Sequence, residues 1–187
     1  MFGTLFKIIL KLTKVKYGKN LRLKGVPVIY NSRGATISIG DDCLIKSAFL
    51  SNLVGLYSRT IIITREKDAS IVIGNNVGIS GATIYARQQI SIGNDTAIGG
   101  NVKILDNDFH PVDPEARKRN DRSQIGTAPV KIGDNCFIGV NAIILKGTVL
   151  GDNCVVGAGA VVSGEFEAGS VIVGNPARVI RKIQANQ

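Results

Sequence analysis

The 187-residue chain is long enough for one domain with a continuous core and too short for two domains of ordinary size. Its composition, 44% hydrophobic and 20% charged with 22 glycines, argues against a disordered chain and favours short strands joined by tight turns. The formal net charge of +9 favours anionic partners, but it comes with no nucleic-acid-binding motif, so we expect no nucleic-acid partner.

Targeting signals and cysteine usage restrict the location of the protein. No segment reaches the roughly 18 apolar residues that span a bilayer, and the N-terminus lacks the pattern of a cleaved signal peptide. The three cysteines form an odd set without C-x-x-C spacing, which predicts neither a disulfide framework nor a zinc site. We therefore expect a cytoplasmic protein, with the inner membrane face as a peripheral location.

The first predicted unit, residues 1–28, begins with an amphipathic segment. Lysines separate its apolar residues, which are Phe2, Leu5, Phe6, Ile8, Ile9, Leu12 and Val15. This spacing predicts a helix with a basic flank. Two interpretations stay open: the helix caps the end of a solenoid or packs on a neighbouring subunit, or residues 1–16 lie on a membrane surface.

A six-residue period dominates the second unit, residues 29–174. Aliphatic residues recur at Ile39, Ile45, Ile73, Ile79, Ile92, Ile98, Ile104, Ile132, Ile138, Ile144, Leu150, Val156 and Val162. Four positions later comes a small or β-branched residue, at Cys43, Val77, Thr83, Thr96, Val102, Cys136, Ala142, Thr148, Cys154 and Ala160. Six residues suit one short strand and a turn, so three repeats close a triangular coil. The cysteines occupy the small inward position, which predicts buried, unreactive thiols.

The period is lost in a polar loop, residues 105–129, which contains the only histidine of the chain. His110 lies between Asp106 and Asp108 on one side and Asp113 on the other. An unperturbed imidazole titrates near neutrality, and each of these carboxylates is close enough in sequence to orient it. Asp106 is the first choice. The alternative for Asp106 and Asp113 is a structural role in turns.

The Ile-Gly-x-x-small-x repeat over residues 35–183 resembles the hexapeptide-repeat acyltransferase family, and the His110-Pro111 loop resembles that of maltose and galactoside O-acetyltransferases. The resemblance implies an all-β fold, a left-handed parallel β-helix with a protruding loop. It also implies a homotrimer with sites between subunits, acetyl-CoA or another acyl-CoA as co-substrate, and no metal. The three-histidine zinc site of gamma carbonic anhydrases is excluded, because this chain has one histidine.

The same resemblance assigns His110 as the general base that deprotonates an acceptor hydroxyl, with backbone N–H groups near Gly139 and Val140 for the oxyanion. The third unit, residues 175–187, matches the closing motif of the family, and we expect a loop and a short helix there with Arg178 and Arg181 on one side. The implied coenzyme-binding residues are Gly139, Val140, Ala158, Ser163, Gly164, Arg178 and Arg181. The alternative is that the small residues only pack the coil and the arginines are a solvated cap.

On the acceptor side the resemblance is weaker. Ile79 and Arg87 stand where the sugar enzymes have an Asn and an Asp, which argues against a small neutral sugar. The residues expected to bind the acceptor are Tyr85, Arg87, Asp108 and Arg117, and their charges favour an anionic, nucleotide-linked or lipid-linked sugar. The function implied is O-acylation of a sugar hydroxyl in a cell-surface polysaccharide or its precursor. The alternatives are N-acetylation of an amino sugar and a non-catalytic β-helix scaffold.

Overall fold

The computed structural model describes residues 10 and 13–183, which form short strands in three sheets joined by tight corners. Sheet A contains β1 (Lys16–Tyr17), β4 (Thr36–Ile39), β7 (Ser70–Ile73), β10 (Gln89–Ile92), β13 (Val130–Ile132), β16 (Val149–Leu150) and β19 (Glu165–Phe166). Sheet B contains β2 (Arg22–Lys24), β5 (Leu44–Lys46), β8 (Gly78–Ser80), β11 (Ala97–Ile98), β14 (Phe137–Ile138), β17 (Val155–Val156), β20 (Ser170–Gly174) and β21 (Ala177–Lys182). Sheet C contains β3 (Val28–Tyr30), β6 (Ile61–Thr64), β9 (Thr83–Ala86), β12 (Lys103–Leu105), β15 (Ile143–Ile144) and β18 (Val161–Val162).

From β1 to β20 the chain visits sheets A, B and C in turn, so three strands make one coil and each strand pairs in parallel with the strand one coil away. The register stacks the aliphatic anchors of successive coils. In sheet A, for example, Ile90 lies opposite both Ile71 and Val130, and all three are buried. This repeated burial forms one continuous core along the prism and confirms the predicted all-β solenoid.

The small inward position is confirmed at nine of its ten predicted residues, all of which are buried. The exception is Thr83, which lies on the outer side of β9, while Ala82 takes the inward place with no exposed surface. The corner before β9 is one residue shorter than the next corners in the same column, and Gly81 within it adopts a positive φ of 56°. The prediction for Thr83 was therefore wrong by one residue.

Side-chain oxygens support the corners between sheets A and B. The backbone N–H groups of Asp41, Asn75 and Asn94 donate to the side chains of Asn75, Asn94 and Asp134 in the next coil, at 2.7–2.9 Å. The residue after each of them adopts a positive φ, as Asn76 does at 55°. Asn and Asp tolerate this conformation best among residues with a Cβ, which explains the recurring Gly-Asx-Asx turns.

Both ends differ from the prediction. Strands β1 to β3 already form a coil, so the β-helix begins near residue 16 rather than at residue 29; most of the predicted helix of residues 1–16 lies outside the described residues. The predicted short C-terminal helix is wrong, because Ala177–Lys182 forms β21, antiparallel to β20. Gly174, at φ 98°, lets the chain turn back, and β21 then pairs with backbone groups that the last coil would otherwise leave open.

Two insertions leave the prism at different corners. The predicted loop lies between β12 and β13, at a corner between sheets C and A, and contains the helix α1 (Pro114–Lys118) and the 3₁₀ turn Arg122–Gln124. A second loop, residues 47–60, lies between β5 and β6 at a corner between sheets B and C and contains the 3₁₀ turn Phe49–Ser51. Among the described residues, no helix has the length and apolar character needed to cross a membrane.

Candidate active site

The histidine loop starts from a fully buried carboxylate. One Asp106 oxygen accepts the backbone N–H of Arg87 at 2.8 Å and the side-chain amide of Asn107 at 3.0 Å. The other oxygen accepts the backbone N–H groups of Gln88 and Gln89 at 2.7 and 2.8 Å. Asp106 therefore fixes the corner beneath the loop. It does not bond to His110, so the structure does not support its predicted role as the orienting acid.

A second carboxylate joins the loop to the next coil. Lys146 donates to both oxygens of Asp108, at 2.7 and 2.6 Å, and both side chains are partly buried. The loop returns past Gly126, whose carbonyl accepts the Asp108 backbone N–H at 3.0 Å. A Cβ at Gly126 would lie only 2.5 Å from an Asp108 oxygen, so a larger residue there would have to displace the Asp108 carboxylate. Asp108 is thus an anchor of the loop, not a free acceptor-binding group as predicted.

A strained turn presents His110. The His110 backbone N–H donates to the Asp108 carbonyl at 2.7 Å, which closes a three-residue turn around Phe109 at φ 62°. Positive φ is unusual for an aromatic residue, and turns of this kind are rare and strained. Two contacts hold it: the Phe109 N–H donates to Asn107 at 2.9 Å, and its ring packs on Tyr85 with centroids 4.8 Å apart.

The exposed imidazole lines a pocket of about 150 Å³ between the loop and the outer side of sheet C. In the described part of the chain, the His110 side chain has no hydrogen-bond partner, so both ring nitrogens are available. Three arginines and one carboxylate share the pocket wall with it. The other residues around it include Tyr85, Asn107, Asn120 and Ile125.

Arg87 is the most enclosed of these arginines. It donates to Glu66 at 2.6 Å, and its side chain is 14% exposed. Its Nε is buried and has no hydrogen-bond partner. Because an unpaired buried donor of a charged group is costly, this atom is a candidate contact for a bound anion or carbonyl. Arg65 and Arg122, on the same wall, give the pocket a positive charge that Glu66 balances only in part.

Two predicted site residues instead stabilise the helix of the loop. Asp113 caps α1 by accepting the N–H of Ala116 at 2.7 Å, the turn role that was its alternative. Arg117 donates to the carbonyls of Pro111 and Val112 at 2.8 and 2.9 Å and does not line the pocket. Neither residue supports its predicted functional assignment.

The predicted coenzyme residues divide between two edges of sheet C. Gly139, Val140 and Ala158 lie in stacked corners between sheets B and C, where a Cβ on Gly139 would come within 2.6 Å of the Ala158 nitrogen. Ser163 and Gly164 lie at the opposite edge, in the column of corners that carries the histidine loop. Within one chain, the Gly139 corner and His110 are thus on opposite edges of the same sheet.

The arginines of β21 share one face for a different reason from the one predicted. Residues three apart on a regular strand point to opposite faces, but a bulge at Ile180 shifts the register. Arg178 then opposes Val173, and Arg181 opposes Val171, two residues away in β20. Both arginines are exposed, and a Cβ on Gly157 would contact Val173 at 2.8 Å, so Arg178 lies near the Ala158 corner.

Sequence reasoning missed Lys146, Phe109 and Arg65, whereas Arg122 belongs to the basic cluster of residues 117–122 that was expected to attract an anionic acceptor. Lys146 lies in the corner between β15 and β16. The residues around it in the sequence give no sign that it pairs with Asp108, which is 38 residues away. The sequence contained only a weak signal for the strained turn at Phe109, namely a lone histidine preceded by a large residue. The backbone conformation of Phe109 depends on the whole loop. No cluster of potential metal ligands occurs among residues 10 and 13–183.

Comparison with known proteins supports a family assignment. The family model described as hexapeptide repeat of succinyl-transferase matches residues 129–163. A Saccharomyces cerevisiae protein named as an acetyltransferase is 36% identical over 145 residues, which cover 74% of this chain and 71% of that protein. An Escherichia coli protein named as a lipopolysaccharide biosynthesis O-acetyltransferase is 33% identical over 104 residues, 53% of each chain.

The solved structure of a maltose O-acetyltransferase from Clostridium difficile superposes with a TM-score of 0.58 at 28% identity, covering 96% of this chain and 75% of that one. Several of the curated relatives match over about half their length. For the first three, the aligned region spans 45–48% of the relative.

Proposed function

Because this chain belongs to the hexapeptide-repeat acyltransferase family, we propose that it transfers an acetyl group from acetyl-CoA to a sugar hydroxyl, with His110 as the general base. The observation that carries the proposal is the presentation of His110: the only imidazole of the chain projects into a pocket from a braced, strained turn. Strain of this kind tends to persist where function requires it. A purely structural solenoid has no need of such a turn.

The chemistry requires one group that accepts and then returns a proton. The neutral imidazole takes the proton of the acceptor hydroxyl while the hydroxyl oxygen attacks the thioester carbonyl. The C–S bond of the tetrahedral intermediate then breaks, and the imidazolium protonates the departing thiolate. Backbone N–H groups of the Gly139–Val140 corner stabilise the oxyanion in this scheme. No covalent enzyme intermediate is needed.

We propose that the active form is a homotrimer with each site between two subunits. The outer side of sheet C supports this, because its strand residues are mostly apolar, whereas those of sheet A are mostly polar. The outward residues of sheet C are Val28, Tyr30, Ile61, Ile63, Thr83, Tyr85, Lys103, Leu105, Ile143 and Val161. Contact between chains would also bring the Gly139 corner of one subunit to His110 of another.

The pocket favours an acceptor that carries negative charge. Arg65, Arg87 and Arg122 line it with only Glu66 to oppose them, and the Arg87 Nε lacks a partner. A uronic acid, a phosphosugar or a nucleotide-linked or lipid-linked sugar has the required anion. We therefore propose a precursor or unit of a cell-surface polysaccharide as acceptor and, because acyl-CoA is the donor, a cytoplasmic site of action.

Two measurements test the proposal against its alternatives. Saturable binding of acetyl-CoA by calorimetry is expected; its absence at millimolar concentration would favour the non-catalytic scaffold. Labelled acetyl-CoA with a panel of neutral and anionic sugars then identifies the acceptor. The product should be an ester that mild alkali cleaves, whereas a stable amide would identify an N-acetyltransferase.

His110→Ala is expected to lower turnover by about two to four orders of magnitude while acetyl-CoA affinity and fold are retained. The side chain is exposed, so its removal opens no cavity in the core. Lys118→Ala in the same loop is the matched control, because Lys118 contacts only exposed Glu115, and it should keep the parent rate. Turnover of His110→Ala within a few-fold of the parent would remove His110 as the base.

A further inference from the structure

The excess of positive over negative charge is confined to the N-terminal third of the protein. Residues 1–65 contain 11 Lys or Arg and 2 Asp, whereas residues 66–187 contain 12 Lys or Arg and 12 Asp or Glu. The net charge of +9 therefore belongs to residues 1–65, which include the first coils of the prism, and the remainder of the chain has no net charge. Such a one-sided distribution favours an anionic surface as partner.

Part of this charge forms a basic strip on the outer side of sheet B. Arg22 and Lys24 of β2 are exposed, and Lys46 of β5 is partly exposed and lies beside Lys24 in the register. The strip is next to the loop of residues 47–60, since the Lys24 carbonyl accepts the N–H groups of Ser47 and Ala48 at 2.7 and 3.1 Å. Arg59 continues the positive charge at the far end of this loop.

The loop beside the basic strip presents large apolar side chains to solvent. Phe49, Leu50 and Leu53 are 71%, 77% and 86% exposed, and Val54 and Tyr57 are more than half exposed. Neighbouring coils nevertheless hold the loop in place. Leu56 is buried, and the Asn101 side chain donates to the Gly55 carbonyl at 2.9 Å and accepts the Tyr57 N–H at 3.2 Å.

The sequence around this surface has no acidic residues, and the acidic residues nearest to it in sequence lie at another edge of sheet B. Residues 43–65 contain no Asp or Glu. Asp41 and Asp42 lie at the opposite edge of sheet B, where Asp41 accepts the Lys19 N–H at 2.6 Å and Asp42 accepts from the Asn20 side chain at 2.9 Å. The strip and the loop together thus form a surface that is apolar at its tip and basic at its base.

We propose that this surface, the basic strip with the loop of residues 47–60, docks on an anionic lipid membrane. The apolar side chains enter the interfacial region, and Arg22, Lys24, Lys46 and Arg59 meet the headgroups. A twofold contact with a second copy of the chain is disfavoured as the occupant, because it would bring two basic strips together. The loop also packs on the Gly100 and Val140 corners, so the oligomeric state of a variant without the apolar tip distinguishes membrane docking from a contact within the proposed trimer. The inference does not depend on the proposed activity.

Co-sedimentation of the full chain with vesicles tests this docking. Vesicles of phosphatidylcholine alone are compared with vesicles that also contain phosphatidylglycerol, at low and high salt. One variant, Phe49→Ser/Leu50→Ser/Leu53→Ser, removes the apolar tip, and another, Arg22→Gln/Lys24→Gln/Lys46→Gln, removes the strip. The controls are Val72→Ser/Val112→Ser, which replaces two exposed apolar residues elsewhere, and Lys118→Gln/Arg119→Gln/Lys131→Gln, which removes the same number of charges as the strip variant at exposed positions elsewhere.

The parent should bind only the anionic vesicles, and salt should weaken the binding. Loss of the strip should reduce partitioning by about fivefold per charge, hence roughly a hundredfold for three, and loss of the tip should reduce it at least tenfold, with both controls near the parent. Parental binding by the two variants would overturn the proposal and assign any membrane contact to residues 1–16. Failure of the parent to bind, or a smaller oligomer on loss of the tip, would overturn it as well.

Discussion

Phe109 shows how the position of His110 depends on a few side chains. A non-glycine residue at φ 62° costs on the order of 1–3 kcal/mol, so the turn exists only because its surroundings impose it. The Tyr85 ring holds the Phe109 ring, and Lys146 holds the carboxylate of Asp108 on the other side of the turn. Tyr85, predicted as an acceptor contact, thus also supports the base through Phe109.

Lys146 is expected to be a positioning residue for His110. Lys146→Met removes the partner of a partly buried carboxylate and loosens the turn, so kcat should fall at least about tenfold while KM for acetyl-CoA stays near the parent value. Lys146→Arg, which can still pair with Asp108, should recover most of the rate. Because the chain has one histidine, its imidazole NMR signals report the change directly.

In Lys146→Met those signals should broaden or split, as expected for several loop conformations, with an unchanged circular-dichroism spectrum. A purely structural role would lower the free energy of unfolding but leave the imidazole signals and kcat as in the parent. That outcome would contradict the positioning role without bearing on acetyl transfer itself, which His110→Ala tests.

At the scale of elements, the C-terminal hairpin places two arginines on one face. Arg178→Ala and Arg181→Ala should raise KM for acetyl-CoA more than they lower kcat, because contacts to coenzyme phosphates contribute equally in ground and transition states. Both residues are exposed, so stability should hardly change. Lys182→Ala is the control, since Lys182 pairs with Glu167 instead. A lower kcat with unchanged KM would remove the phosphate-binding assignment.

The coil interior makes a separate prediction about alkaline pH. Burial raises the pKa of the Cys136 thiol from its ordinary value of 9.0 to about 11. The folded protein keeps this thiol protonated while the unfolded chain ionises, so its contribution to stability is complete below pH 9 and is lost as pH rises through 11. The loss for one group is about 2–3 kcal/mol.

Unfolding by urea between pH 8 and about 11 measures this loss. Cys136→Ala should lose less stability over the range than the parent, because it lacks the ionising thiol. Equal pH dependence of the two proteins would mean that Cys136 does not stay protonated in the fold. The same burial raises the pKa of Cys43, so slow labelling of native thiols is also expected.

The elements that the sequence predicted well are those in which every repeat has the same environment. Ile90 and Ile132 are both buried because both point into the core from a strand of sheet A. Since every coil repeats this environment, the buried residues recur with a regular period in the sequence. The C-terminal strand has a different partner, an antiparallel neighbour with a bulge, so no period marks it. The sequence indicated the loop of residues 47–60 only as a break in the six-residue repeat. Its apolar residues are of the types that also occur in strands, so they did not mark it as a protruding loop.

At the scale of the whole molecule, the sequence could identify the histidine loop but not its contacts. Asp106, Asp108 and Asp113 are alike in sequence, and only the path of the chain decides that each anchors a different part of the loop. The pocket arginines come from three separate segments that a solenoid brings together. The division of the predicted coenzyme residues between two edges of sheet C is likewise a property of the coil, and it leads to a prediction about assembly.

If the site is shared between subunits, two inactive variants should restore activity when mixed. His110→Ala lacks the base, and Ala158→Trp blocks the small corner at the other edge of sheet C. In trimers reassembled from equal amounts, about a quarter of the interfaces pair an intact His110 edge with an intact Ala158 corner, so about a quarter of the parental activity should return. Each variant alone, taken through the same dissociation and reassembly, is the control. Mixtures that stay inactive, although mass spectrometry shows mixed oligomers, would place the whole site within one chain.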